Sequence, residues 1–103
     1  MINTLLIGGR GNIGSGLRTF LPKLNSEYEI TSVDLPGAVD RTTDPSVKRE
    51  FVDLDISEDD SRLRELLADR DLVVYLARKD PLSDMNAMTD QVFRAVMDVC
   101  PDA

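Results

Sequence analysis

Ile2-Asn3-Thr4-Leu5-Leu6-Ile7-Gly8-Gly9-Arg10-Gly11-Asn12-Ile13-Gly14 is the stretch on which the fold turns. Its first half is an apolar run broken only by Asn3 and Thr4, the pattern of a strand buried on both faces. The run ends directly in glycines, and beyond them Leu17, Phe20, Leu21 and Leu24 recur at helical spacing. Pro22 is expected to kink that helix or end it about a turn early. Gly9-x-Gly11-x-x-Gly14 has the spacing of a dinucleotide fingerprint, and the same residues also satisfy Gly8-x-x-Gly11-x-x-Gly14. The chemistry asks for glycine for separate reasons: a turn at positive φ, close backbone approach to a pyrophosphate, and close packing of helix on strand. The helix start adds unpaired N–H groups and a partial positive charge. Gly8, Gly9, Arg10, Gly11, Asn12, Ile13 and Gly14 are therefore the candidate phosphate cradle.

Outward from this stretch the elements alternate. Tyr28 to Val33 reads as a second strand closing on Asp34, which lies 20 residues beyond Gly14. An acidic side chain there can accept hydrogen bonds from ribose hydroxyls and would repel a 2′-phosphate, so NAD is favoured over NADP. Arg10 and Arg41 are the cations near enough in sequence to oppose that preference. Asp34 also suits a simple turn ahead of Leu35-Pro36-Gly37. Leu35 to Lys48 is a loop, and Glu50 to Leu54 a short third strand. Ser57 is the expected N-cap of a helix with an acidic first turn and a buried face of Leu63, Leu66 and Leu67. Leu72 to Ala77 is a fourth strand, apolar enough to be covered on both faces. Met85, Met88, Val92, Val96 and Val99 then mark one face of a last helix.

This order predicts an α/β fold: a Rossmann-type parallel sheet, helices on both faces, strands in the order 3-2-1-4. Residues 1–103 are expected to form one dinucleotide-binding domain, truncated after about four strands. The fourth strand would be an exposed apolar edge, which invites a second copy of the chain or a partner chain.

Composition narrows the function classes. The formal net charge of -7 argues against nucleic acid or an anionic membrane as partner. Fourteen aspartates and five glutamates against nine arginines and three lysines are also compatible with a salt-loving source. There is no histidine, so imidazole catalysis and histidine ligation of metal are excluded. The single cysteine, Cys100, excludes an internal disulfide and reads as a buried bystander thiol. No metal site is indicated. No apolar run approaches the roughly 20 residues of a membrane span, and Met1 to Leu6 lacks the features of a signal peptide. A cytoplasmic location is the expectation.

Three segments together resemble the N-terminal part of the short-chain dehydrogenase/reductase superfamily, specifically its extended branch, the NAD-dependent epimerases and dehydratases. They are Leu6 to Gly14, Asp53-Leu54-Asp55-Ile56-Ser57-Glu58, and Asp71-Leu72-Val73-Val74-Tyr75-Leu76-Ala77. The resemblance implies an oxidoreductase-type fold binding NAD, with a nucleotide-linked sugar as the usual substrate. It implies that Asp55-Ile56 holds the adenine, with Asp53-Leu54 as the alternative pair. It implies also that Leu76, Ala77 and Arg78 pass beside the cofactor's ribose and phosphates. The chain departs from the pattern at Tyr75, where a histidine is usual, and at Thr89 and Asp90, where glycine and threonine are common; Asn86 matches.

The family's chemistry depends on a tyrosine with a lysine four residues on, several dozen positions past the fourth strand. Tyr75-Leu76-Ala77-Arg78-Lys79 has that spacing literally, yet on a strand the two residues would stand roughly 13 Å apart. It is read as a decoy, and no catalytic residue is assigned. Two functions follow as expectations. One is the cofactor-binding part of an NAD-dependent enzyme, with a small-molecule substrate handled by a longer chain. The other is a non-catalytic or redox-sensing dinucleotide module that pairs with a partner chain.

Overall fold

The structure is a computed structural model that describes residues 1–42 and 51–103. Its elements run β1 (Ile2–Ile7), α1 (Asn12–Leu24), β2 (Tyr28–Asp34), β3 (Phe51–Asp53), α2 (Asp60–Leu67), β4 (Leu72–Tyr75) and α3 (Leu82–Val99). Residues 43–48 of the expected loop and Glu50 of the expected third strand lie outside the described residues.

All strand pairs are parallel, and the sheet order is β3-β2-β1-β4. β1 is central because it can be covered on both faces, and Thr4 to Ile7 are all buried. Ile7 stands beside Val33 on one side and Tyr75 on the other, so these three share a face. With Leu5 and Val73 they meet Leu63, Leu66 and Leu67 of α2 and Met88, Val92 and Ala95 of α3 in a single apolar core. Cys100 closes the base of that core, and burial raises its thiol pKa, which agrees with an inert packing role.

α1 lies on the opposite face, above Thr4, Leu6 and Ser32. Its packing differs from what the sequence pattern implies. The side it buries is Gly14, Ser15 and Arg18, while Ile13, Phe20 and Leu24 are exposed. Small residues win that side because the glycine turn and Ser32 leave no depth for a leucine. Pro22 does not end α1 early. It costs the helix only one donor in its last turn, and Asn25 N–H still closes the end on the Leu21 carbonyl at 3.0 Å.

Ser57 is not the N-cap of α2. That position belongs to Asp59, whose side chain accepts from the Arg62 N–H at 3.0 Å, while Ser57 sits in the preceding turn and donates to Asp55. Arg64 ties α2 to α3 by pairing with Asp60 at 2.6 Å and Asp98 at 2.9 Å. β4 is the outer strand and is half-buried throughout, because only β1 flanks it. Tyr75 is thus half-buried as well. No helix among the described residues is long and apolar enough to cross a membrane.

Candidate functional site

The C-terminal ends of four parallel strands converge on the glycine turn. Gly8 takes φ +93, which lets the chain double back from β1. A Cβ at Gly8 would lie 2.8 Å from the Ala77 nitrogen, so the end of β4 passes directly against the turn. Gly14 packs α1 onto the turn in the same way, its would-be Cβ 2.6 Å from the Gly8 carbonyl oxygen. Gly11 differs. It has no neighbour closer than 3.8 Å and opens to solvent.

α1 starts without a side-chain cap. Among the described residues, the N–H groups of Gly11, Asn12, Ile13 and Gly14 have no hydrogen-bond partner. Four free donors at a helix start beside an open glycine form an anion-binding surface. Nothing else in the turn competes for them.

At the end of β2, Asp34 accepts the Arg10 N–H at 2.9 Å and its own neighbour's N–H, from Leu35, at 2.8 Å. One donor on each oxygen leaves further lone pairs for hydroxyl groups. Asp34, Gly8, Asp55, Ile56, Ala77 and Arg78 all line one cavity of about 100 Å³, whose apolar walls include Val33, Leu54 and Met88. The sequence-based candidates from four separate segments are thereby brought together. Leu76 lines a shallower adjoining depression with Tyr75, Leu82 and Met85.

Asp55 is built as an acceptor. Its Oδ1 takes the Ser57 hydroxyl at 2.6 Å and the Ser57 N–H at 3.1 Å. The Ser57 hydroxyl holds the Asp55 carboxyl below its ordinary pKa, against an opposing effect of burial, with further help from the Ser57 N–H and nearby Lys79. Among the described residues, the Asp55 Oδ2 and the Ile56 N–H have no partner. An acceptor next to a donor at the mouth of an apolar slot matches the edge of an adenine ring. Asp53, the alternative, does not line the cavity; its carboxylate is engaged by Arg10 at 2.6 Å.

Two arginines brace the turn from beneath. Arg18 is buried and donates to the Gly9 carbonyl at 3.2 Å, the Thr42 hydroxyl at 2.8 Å and Asp40 at 3.0 Å. Arg10 and Arg18 both place their guanidinium groups over the Phe51 ring, 4.3 and 4.2 Å from its centroid. Sequence reasoning missed Arg18 and Phe51, and it read Ser57 as a helix cap where the structure bonds it to Asp55. The signal for Arg18 is its place one helical turn after Gly14 and Ser15, on a stripe too small to be a core face.

Burial opposes ionisation of Asp40, but hydrogen bonds from Arg18 and from the Thr42 N–H and hydroxyl outweigh it, and its pKa falls from 3.8 to about 2. A carboxylate with a depressed folded pKa adds stability that is full above about pH 4 and lost as pH falls toward 2. Urea denaturation in steps over that window should therefore show a steeper loss for the wild type than for Asp40→Asn. Parallel slopes would assign the acid transition to other groups.

Tyr75 and Lys79 do not face a common point. The Tyr75 hydroxyl is 3.2 Å from the Thr89 hydroxyl, and Lys79 donates to the Ser57 hydroxyl at 2.8 Å. Among the described residues no cluster of acidic or thiol side chains is placed to hold a metal ion.

The fold is shared with uronate dehydrogenases. The structure of uronate dehydrogenase from Agrobacterium tumefaciens matches with a TM-score of 0.65 at 19% identity, over 96% of this chain and 37% of that one. A mutant of that enzyme complexed with NAD gives the same values. A further mutated uronate dehydrogenase matches with a TM-score of 0.63 at 21% identity, over 94% and 35%. The chain thus spans little more than a third of the length of these structures. It matches no protein-family model and no curated protein. Likeness at such identity establishes the fold, a Rossmann-type parallel sheet.

Proposed function

We propose that this chain is the nicotinamide-dinucleotide-binding part of an NAD-dependent oxidoreductase of the epimerase/dehydratase type, acting on a sugar derivative such as a nucleotide-linked sugar. The observation that carries the proposal is the convergence of three complementary surfaces at the C-terminal edge of one parallel sheet. The free N–H groups from Gly11 to Gly14 receive the pyrophosphate. Asp34 accepts from the adenosine ribose, and Asp55 with the Ile56 N–H frames the adenine. Gly8, Gly9, Asn12 and Ile13 shape the turn, and Leu76, Ala77 and Arg78 border the path toward the nicotinamide. Bound NAD would supply the hydride acceptor; these residues hold and orient it. The names of the structural neighbours, and NAD in one of them, support the same cofactor class.

Titration of the chain with NADH, followed by nicotinamide fluorescence and calorimetry, tests this reading. Saturable binding at one site per chain is the expected result, and no heat and no fluorescence change at millimolar NADH would end it. Asp34→Ala is expected to weaken NAD about tenfold and to narrow its advantage over NADP, since a charged acceptor and a charge that repels the 2′-phosphate are both lost. An unaltered ratio would show that Asp34 does not contact the ribose.

A second reading, a dinucleotide module with no catalysis of its own, is favoured by one observation. The apolar strand β4 is the outer strand of the sheet, flanked by β1 alone and half-buried throughout, and so leaves an edge for a partner chain to cover. Hydride transfer by the chain alone to or from uronates or nucleotide sugars would count against it.

A further inference from the structure

The Arg10 side chain is not poised over the helix start, where an arginine in a glycine turn would meet phosphate. It folds toward β3. One guanidinium nitrogen donates to the Leu35 carbonyl at 2.9 Å and the other to the Asp53 carboxylate at 2.6 Å, with the plane over Phe51. Only 13% of the side chain remains exposed, against 54% for Asp53. The anchor points locate the group. Leu35 follows Asp34 directly, and the Arg10 N–H itself binds the Asp34 carboxylate. The guanidinium bonded to Leu35, next to Asp34, is therefore neutralised by a carboxylate from the neighbouring strand.

We infer that Asp53 is a positioning residue that sets cofactor choice by holding the Arg10 guanidinium against β3 and away from a ribose 2′-phosphate. The inference rests on the dinucleotide reading of the site. Two carboxylates then exclude NADP in different ways. Asp34 repels the 2′-phosphate where it would sit, and Asp53 occupies the Arg10 guanidinium, the cation anchored next to Asp34. A guanidinium released from Asp53 has the reach to turn from Phe51 toward the Asp34 end, and a charge-assisted bond to a phosphate dianion would hold it there. Loss of Asp53 leaves the mostly buried Arg10 guanidinium with the Leu35 carbonyl and the Phe51 ring as partners, so a thermal melt of each variant accompanies the titrations.

The test is a comparison of NAD and NADP affinities by calorimetry in the wild type, Asp53→Asn, Asp53→Ala, and Asp53→Asn combined with Arg10→Ala. Both single variants are expected to gain about tenfold in NADP affinity, with NAD changed by less than about twofold. Adding Arg10→Ala should erase the gain, because the effect acts through that side chain. An NADP to NAD ratio unchanged in both single variants would overturn the inference while leaving the dinucleotide site intact. A fall in NAD affinity itself would also overturn it, since Asp53 would then be a cofactor contact. A gain that survives Arg10→Ala would assign it to general charge and not to the latch. Failure of the wild type to bind either dinucleotide would instead bring down the reading on which the inference rests.

Discussion

Gly11→Val is expected to lower NADH affinity at least about a hundredfold while leaving the melting transition nearly where it was. The two halves of that result come from one observation. Gly11 has φ -71 and ψ -178, an extended conformation open to any residue, so valine introduces no backbone strain. The only heavy atom near its would-be Cβ is the Gly8 carbonyl oxygen at 3.8 Å, an ordinary contact. The branched side chain therefore fits the free protein. It projects into the space in front of the unpaired N–H groups of Asn12, Ile13 and Gly14, which is where a pyrophosphate must come within hydrogen-bond distance. Calorimetric titration with NADH alongside a thermal melt checks both halves. Unchanged affinity would refute the phosphate cradle, and a collapsed melt would mean that Gly11 serves the fold instead.

The central strand, the glycine turn and the sheet order were legible in the sequence because each has a local cause. A short apolar run that ends directly in glycines marks a strand feeding a tight turn, and glycines at that spacing have few other uses. Asp34 was legible because it ends the strand beside β1. The buried side of α1 was not. Helical spacing of Leu17, Phe20, Leu21 and Leu24 points to an apolar stripe, yet the side that packs is set by how closely α1 must approach Gly8 and Gly9, and that distance admits only Gly14 and Ser15. The cap of α2 slipped from Ser57 to Asp59 for a related reason. Both residues are good caps, and the choice fell to Asp59 once Ser57 was recruited by Asp55.

Long-range pairings were the other gap. Arg10 with Asp53 and Lys79 with Ser57 are separated by tens of residues, and nothing local announces them. One such pairing joins two departures from the pattern of the resembling family. Tyr75 and Thr89, which stand in place of the usual histidine and glycine, have their hydroxyls 3.2 Å apart. A tyrosine reaching from β4 toward α3 finds a polar partner because the helix carries a hydroxyl at that point and not a bare glycine.

Gly14→Ala is expected to do what Gly11→Val does not, and unfold the chain more easily. A Cβ at Gly14 would stand 2.6 Å from the Gly8 carbonyl oxygen, 2.7 Å from the Gly9 Cα and 2.9 Å from the Gly9 carbonyl carbon. All three are backbone atoms of the turn. They cannot rotate aside as a flexible side chain would, so either α1 lifts from the sheet or the turn shifts. Lifting α1 would draw Arg18 away from the Gly9 carbonyl, Asp40 and Thr42, stranding a buried charge. Overpacking of this kind costs about 3 kcal/mol, which for a domain of this size lowers the melting temperature by more than about 10 °C. The helix-propensity gain of glycine to alanine, about 1 kcal/mol, acts in the opposite direction and is too small to offset it. Gly16→Ala separates the two effects, since a Cβ at Gly16 meets nothing within 4 Å and should stabilise by the propensity gain alone. Thermal melts of the two variants moving in opposite directions is the expected outcome; equal shifts would show that α1 does not depend on close contact at Gly14.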